Sequence, residues 1–279
     1  MSHWFVHVVA VKQQMIQATL ETIYMTGVTS LIAGFLGLAT GLLLVVTQNG
    51  GISQDRIFYV VLDKIVNLLR SVPFIILLAV ISPLTSFLLG TTVGTTAALI
   101  PLIAGIFPFY ARQIQNALHE IDPGVIEAAQ AMGTSHLAII FRVYLREGLA
   151  DVIRVSVLTI ISLIGLTTMA GAVGGGGLGD IAINIGYARF QNDVTIVCMV
   201  ILLALVFLIQ FIEENYLNIW LYEDKKTIIT EEMRFFTTYH VQGCLSVLNR
   251  WVESNYKYSK KELLELLQKL NDHIEKIMP

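Results

Sequence analysis

Charge and cysteine are what this 279-residue chain has least of. Only 14% of its residues are charged, against 55% hydrophobic, a balance too apolar for an ordinary water-soluble domain. Its 18 basic and 21 acidic residues leave a formal charge of −3, which argues neither for nor against a nucleic-acid partner. Two cysteines, Cys198 in an apolar run and Cys244 near the end, do not make a disulfide framework. The first dozen residues lack a basic stretch followed by a cleavable apolar one, so no signal peptide is expected. There is no G-x-x-x-x-G-K-[ST] loop to cradle a nucleotide. His3, His7, His119 and His136 are scattered, none paired with a second histidine and a carboxylate at ligand spacing, so no metal centre is expected. No nucleophile, base and orienting acid come together, and an enzyme is not expected.

Long apolar runs are what the chain does have. Crossing a bilayer takes roughly 20 residues, and five spans can be drawn at about 18–46, from 57 onward, 91–111, 152–173 and 194–212. The second begins amphipathically, with Asp63, Lys64, Asn67 and Arg70, and turns apolar only from Val72. Pro73 and Pro83 lie inside it, so a kinked span buried among its neighbours is expected. Asn67, Arg70 and Ser71 are polar groups at this span's inner end. They read either as side chains snorkelling at the interface or as support for an inner mouth. In the first span, Gly27, Gly34 and Gly41 recur every seventh residue, and Ala33, Gly37 and Gly41 form a small-residue ridge suited to close helix packing.

Basic residues set the orientation. Arg56, Lys64 and Arg70 flank one loop, Arg112, Arg142, Arg146 and Arg154 another, and Lys225 and Lys226 follow the last span. The other side offers only Lys12 and Arg189. The positive-inside rule places the N-terminus outside and the C-terminus in the cytoplasm. The expected fold is therefore all-α and polytopic, with a membrane domain over 1–213 and a helical cytoplasmic tail over 214–279.

Between the third and fourth spans, a cytoplasmic loop has its own helical grammar. Asp122 is a capping residue, Pro123 suits the first helical position, and Glu127 follows one turn later. Gly133 interrupts, and Thr134-Ser135 offers a second cap before the apolar run 137–143. The loop reads as helix, hinge, helix, a shape for gripping a soluble partner. Glu127-Ala128-Ala129 with Gly133, so placed, resembles the EAA loop of binding-protein-dependent ABC importer permeases. Arg70-Ser71-Val72-Pro73-Phe74, the stretch from Met169 through Gly174, Gly175, Gly176 and Gly177 to Asp180, and Tyr187-Ala188-Arg189-Phe190-Gln191 are similar to the methionine branch of that family. The resemblance covers about residues 15–212.

That resemblance implies a homodimer lining a central pathway in a bacterial inner membrane. Two ATPase subunits would bind beneath it, and a substrate-binding lipoprotein or periplasmic protein would deliver cargo. ATP and Mg would be held by the ATPase, so this chain needs no cofactor. Glu127, Ala128, Ala129, Met132 and Gly133 would be the ATPase-coupling residues, with Ala128, Ala129 and Met132 on an apolar side seated in the ATPase groove. The family pattern carries Leu-Pro near the loop's end, where this chain has Leu145-Arg146. Met169 or the run Gly174 to Gly177 would form a gate at the outer mouth. Gly174, Gly176 and Gly179 also satisfy G-x-G-x-x-G, but an apolar span rather than a βαβ unit surrounds them, so a dinucleotide site is not expected. Asp180 and Asp193 are outside-loop charges, with contact to the binding protein as their functional reading. Methionine is the expected cargo. Alternatives are another small amino acid or related solute, and, from a different class, a membrane-anchored regulator or scaffold acting through its tail.

The tail changes character after Ile212. Ser259-Lys260-Lys261-Glu262 is a capping-box pattern, and Leu263, Leu266, Leu267, Leu270, Ile274 and Ile277 line one helical face behind it. An earlier helix is expected over about 231–253. The stretch from Phe235 through Trp251 to Leu267 resembles the last helices of tetracycline-repressor-family regulators, which in that family belong to the ligand-binding and dimerisation domain. No helix-turn-helix accompanies it, so nucleic acid is not an expected partner. Two readings compete: a passive stub left by a fusion, or a helical hairpin that self-associates or touches the ATPase.

Overall fold

In the computed structural model, residues 6–223 are described, with side chains to residue 216. The described residues form an all-helical membrane protein. A short piece, Val6–Ala10, leads into α1, Lys12–Thr47. Then follow α2, Arg56–Ser71, α3, Phe74–Leu89, and α4, Thr95–His119. The connecting loop holds α5, Pro123–Ala131, and α6, His136–Ile139. After it come α7, Leu149–Ala170, the short α8, Gly177–Asp180, and α9, Asn192–Glu223. The expected tail helices at 231–253 and after Ser259 lie outside the described residues.

Four of these helices are long and apolar enough to span a bilayer, and the bent pair α2–α3 makes a fifth when the two are counted as one broken span. The kink expected in span two is a break: α2 and α3 diverge by 106°. Val72-Pro73 is the physical reason, because proline cannot donate the helical N–H and forces the residue before it out of the α region. Val72 is accordingly extended, at φ −81° and ψ 122°. Pro73 then opens α3 as its N-cap, and Pro83 is accommodated inside it. The span is less buried than expected, with only Leu77 and Thr85 of α3 fully enclosed within the chain.

The organising element is α1, whose 36 residues reach about 54 Å at 1.5 Å per residue, well beyond a ~30 Å hydrocarbon core. Three buried clusters follow one another along it. Near its start, Met15 and Ala18 pack with Leu178, Ile181, Val194 and Cys198. In its middle, Met25 and Ala33 meet Ala98, Leu102, Ile106, Leu163 and Ala170. Near its end, Val45 and Val46 join Ile114, Leu118, Ala129, Ile139 and Tyr144. The small ridge works as packing: a Cβ on Gly37 would sit 2.6 Å from Tyr110 Cδ1, and one on Gly41 would sit 2.7 Å from the Ala111 carbonyl. Gly27 and Gly34, by contrast, have nothing within 4 Å of that position. The first compact unit closes at Leu217, while α9 continues without a break to Glu223.

Candidate functional site

The loop between α4 and α7 is built as its residues dictate. Asp122 Oδ1 accepts the Gly124 N–H at 2.8 Å, with Pro123 in the first turn of α5 where its missing N–H is harmless. Gly133 ends the helix at φ +75°, a left-handed conformation that glycine adopts without the Cβ penalty. Its N–H reaches the Gln130 carbonyl at 2.9 Å, and the Thr134 N–H reaches the Ala129 carbonyl at 3.2 Å. Ser135 Oγ then accepts the Ala138 N–H and starts α6. The helix, hinge, helix reading holds at each of these residues.

The two faces of α5 differ. Ala129 is 5% exposed and packs with Ile139 and Tyr144 in the cluster at the end of α1, with Ile126 against the same cluster. This corrects the expectation that Ala129 shares the outward apolar side. Its job within this chain is to seat the loop on the membrane domain. Val125, Ala128 and Met132 lie on the other face, at the three- and four-residue steps that align side chains on a helix. Met132 is 78% exposed. Leu137 and Phe141 are exposed just beyond the hinge, and Glu127 is exposed beside them. The loop therefore presents an apolar row edged by a carboxylate on a buried footing. Burial also pushes the Tyr144 hydroxyl above its ordinary range. Ser53 Oγ and His136 Nδ1, 3.0 Å apart, tie the loop to the α1–α2 connection.

Arg146 stands exposed in a continuing helix. From His136 the chain runs through a wider π-helical turn, Ile140–Tyr144, then Leu145–Glu147 and Gly148, into α7. Without a proline the exit is near-continuous helix, interrupted at Gly148 (φ −84°, ψ 5°), where a Cβ would sit 2.6 Å from Leu118 Cδ2.

Asn67, Arg70 and Ser71 are not one cluster. Arg112 Nη2 bonds Asp63 Oδ1 at 2.5 Å and Asn67 Oδ1 at 3.0 Å, while Arg112 Nη1 bonds Gln115 Oε1 at 2.5 Å. Gln115, 5% exposed, also donates to Gln48 and Tyr59, so one polar network fastens α2 to α4 and to the end of α1. Ser71 Oγ only returns to the Leu68 carbonyl. Arg70 lines a cavity with Phe74, Leu77 and Phe109.

At the opposite end the glycine run is a tight, clasped turn. Gly174, Gly176 and Gly177 have φ of +94°, +75° and +76°, and Gly175 is buried. The Gly177 N–H donates to Glu21 Oε2 and the Leu178 N–H to Thr22 Oγ1, both at 2.9 Å. A Cβ on Gly177 would sit 2.7 Å from Thr22 Oγ1, so glycine is required there by space as well as by conformation. The Gly174 carbonyl accepts the Gly94 N–H at 2.9 Å, joining this turn to the start of α4. Met169 is partly exposed one turn before it. Glu21 and Thr22 were not singled out from the sequence. The available signal was an acidic side chain inside an apolar span, which is expensive unless it has a partner. Asp180 accepts from Asn184, four residues on in the π-helical stretch Ile181–Tyr187, and Asp193 accepts from His7 and the Val8 N–H, fixing the N-terminal piece to the start of α9.

Comparison with known proteins agrees with this geometry. Residues 33–216 match the family of binding-protein-dependent transport system inner membrane components. Residues 204–273 match a transcriptional regulator C-terminal region, overlapping the last turns of the final span. The chain is 40% identical over 198 residues to the probable D-methionine transport system permease protein MetI of Vibrio cholerae, covering 71% of this chain and 88% of that one. It is 44% identical over 202 residues to the methionine import system permease protein MetP of Bacillus subtilis, covering 72% and 91%. Its fold is similar to the inward facing MetNI methionine ABC transporter, with a TM-score of 0.73 and 39% identity over 75% of this chain and 97% of that chain. An amino acid ABC transporter solved with histidines shares the fold at a TM-score of 0.64 and 17% identity, over 77% and 97%.

Proposed function

The chain belongs to the binding-protein-dependent transport system inner membrane components, and on that premise we propose that it is the permease subunit of an ATP-driven methionine importer. The single observation that carries the coupling role is the outward apolar row of Val125, Ala128 and Met132 beside Glu127, held on a buried base. Such a knob fits a groove on a soluble partner. The relatives named for methionine transport, and the MetNI methionine ABC transporter neighbour, support reading that partner as an ATPase subunit and the cargo as methionine.

Two copies line the pathway, with a substrate-binding lipoprotein or periplasmic protein delivering from outside. The loop and the C-terminus face the cytoplasm of a bacterial cell, and ATP with its Mg is held by the ATPase. The turn 174–177 with Met169 forms the outer gate, clasped shut by Glu21 and Thr22. Approach of the two ATPase subunits moves the knobs together, and the buried Ala129 footing passes that motion into the cluster at the end of α1. Asn67 reinforces the inner mouth through Arg112.

Co-purification with the host's ATPase subunit tests the assignment. Wild type brings the ATPase down, and Gly133→Asp brings down much less. Undiminished pairing in Gly133→Asp and Met132→Asp together contradicts the coupling role.

A further inference from the structure

Between the bent span and the helices beside it lies a cavity of about 250 Å³ lined by Arg70, Phe74, Leu77, Phe109, Ser162 and Leu166, among others. Its walls are apolar apart from two side chains. Arg70 has no hydrogen-bond or ion-pair partner among the described residues, and its guanidinium is always charged. Ser162 Oγ donates its proton to the Leu158 carbonyl at 2.9 Å, which leaves the oxygen lone pairs as its remaining capacity. The bend at Val72-Pro73 brings these groups together, because it places the end of α2 and the first turn of α3 on one side of the same space.

We propose that this cavity is the cargo subsite within the membrane, with Arg70 binding the α-carboxylate of a zwitterionic amino acid. The proposal rests on the importer reading and extends it to the residues that recognise the cargo. A guanidinium fork matches a carboxylate with two parallel bonds. Ser162 offers an acceptor for the ammonium, and Phe74, Leu77, Phe109 and Leu166 receive an uncharged side chain. A thioether gains further from the two aromatic rings, which make favourable sulfur contacts. An acidic or basic side chain would bring a second charge into walls that have no partner for it. The subsite therefore selects amino acids with apolar side chains, independently of the protein that delivers them.

The test is equilibrium binding of labelled methionine to the permease–ATPase complex in nanodiscs, after subtracting counts bound by the ATPase alone. Arg70→Gln is expected to weaken binding about tenfold or more, with Arg70→Lys recovering part of it. In wild type, methionine amide, which keeps the ammonium and thioether but lacks the carboxylate, is expected not to displace the label at concentrations where methionine does. Nanodiscs of neutral phosphatidylcholine and of phosphatidylglycerol are expected to give the same result. Equal competition by the amide, wild-type affinity in Arg70→Gln, or an effect that appears only with the anionic lipid overturns the proposal, the last by assigning Arg70 to a lipid headgroup. So does the absence of measurable binding in a complex that transports methionine. If Arg70→Gln fails to assemble, the amide competition on wild type decides alone. Failure of wild type to take up methionine at all falls instead on the importer reading.

Discussion

Replacing Glu21 with alanine should loosen the glycine turn without touching its sequence. Glu21 Oε2 is the acceptor for the Gly177 N–H at 2.9 Å, in a turn whose glycine already sits at φ +76°. A hydrogen bond to a charged group contributes about 1.5–3 kcal/mol, and the abandoned N–H adds a desolvation cost. Taking about 2 kcal/mol, the balance between the clasped and released turn shifts by a factor approaching 30. Thr22→Val removes the neighbouring bond to Leu178, also 2.9 Å, and a neutral bond of this kind is worth about 1 kcal/mol. Glu21→Gln keeps an acceptor in place and should lie between wild type and Glu21→Ala. The assay is labelling of Val173→Cys, partly exposed beside the turn, by an impermeant maleimide in nucleotide-free proteoliposomes. Labelling should rise in the order wild type, Glu21→Gln, Glu21→Ala. Identical rates in all three, with folded protein throughout, would refute the clasp.

Three further outcomes follow from the same geometry. Met132→Asp, on the exposed face, should leave thermal stability within about 0.5 kcal/mol while sharply reducing ATPase co-purification. Ala129→Leu, in the buried footing, should instead cost about 1–3 kcal/mol by overpacking, read as a lower melting temperature of the isolated permease. Arg112→Ala removes the ion-pair partner of Asp63 and leaves its carboxylate only the Asn67 amide in a partly buried network; it should destabilise by about 2 kcal/mol, with Asp63→Asn recovering part of the loss in the double variant. Removing residues 222–279 should leave uptake unchanged, and a clear loss of uptake would show that the tail works as more than a stub.

Much of this architecture was legible because it is local. Asp122, Pro123, Gly133 and Ser135 each act on backbone groups within three residues, so the loop's shape follows from the loop's own letters. The spans follow from run length and hydropathy in the same way. Direction and partnership were harder. Val72-Pro73 announced a kink, but the 106° angle depends on what α2 and α3 meet, chiefly the Arg112 network and the wall of α4. Ala128 and Ala129 are adjacent small residues of equal propensity, and only the position of Ile139 and Tyr144 decides which faces inward. Glu21 and Gly177 are 156 residues apart, a pairing that no window along the chain contains. The composition shift after Ile212 suggested an end to the last span, whereas helical hydrogen bonding continues to Glu223 because nothing there breaks a helix.

If the proposed coupling is right, ATP hydrolysis by a partner drives methionine through this chain by way of the Glu127 loop. Uptake of labelled methionine into proteoliposomes holding the permease, its ATPase and its binding protein measures this directly. Uptake is expected to require hydrolysable ATP, to be abolished by Gly133→Asp, and to persist when residues 222–279 are absent. Methionine uptake independent of ATP, or full uptake with Gly133→Asp when ATPase pairing is lost, would contradict it.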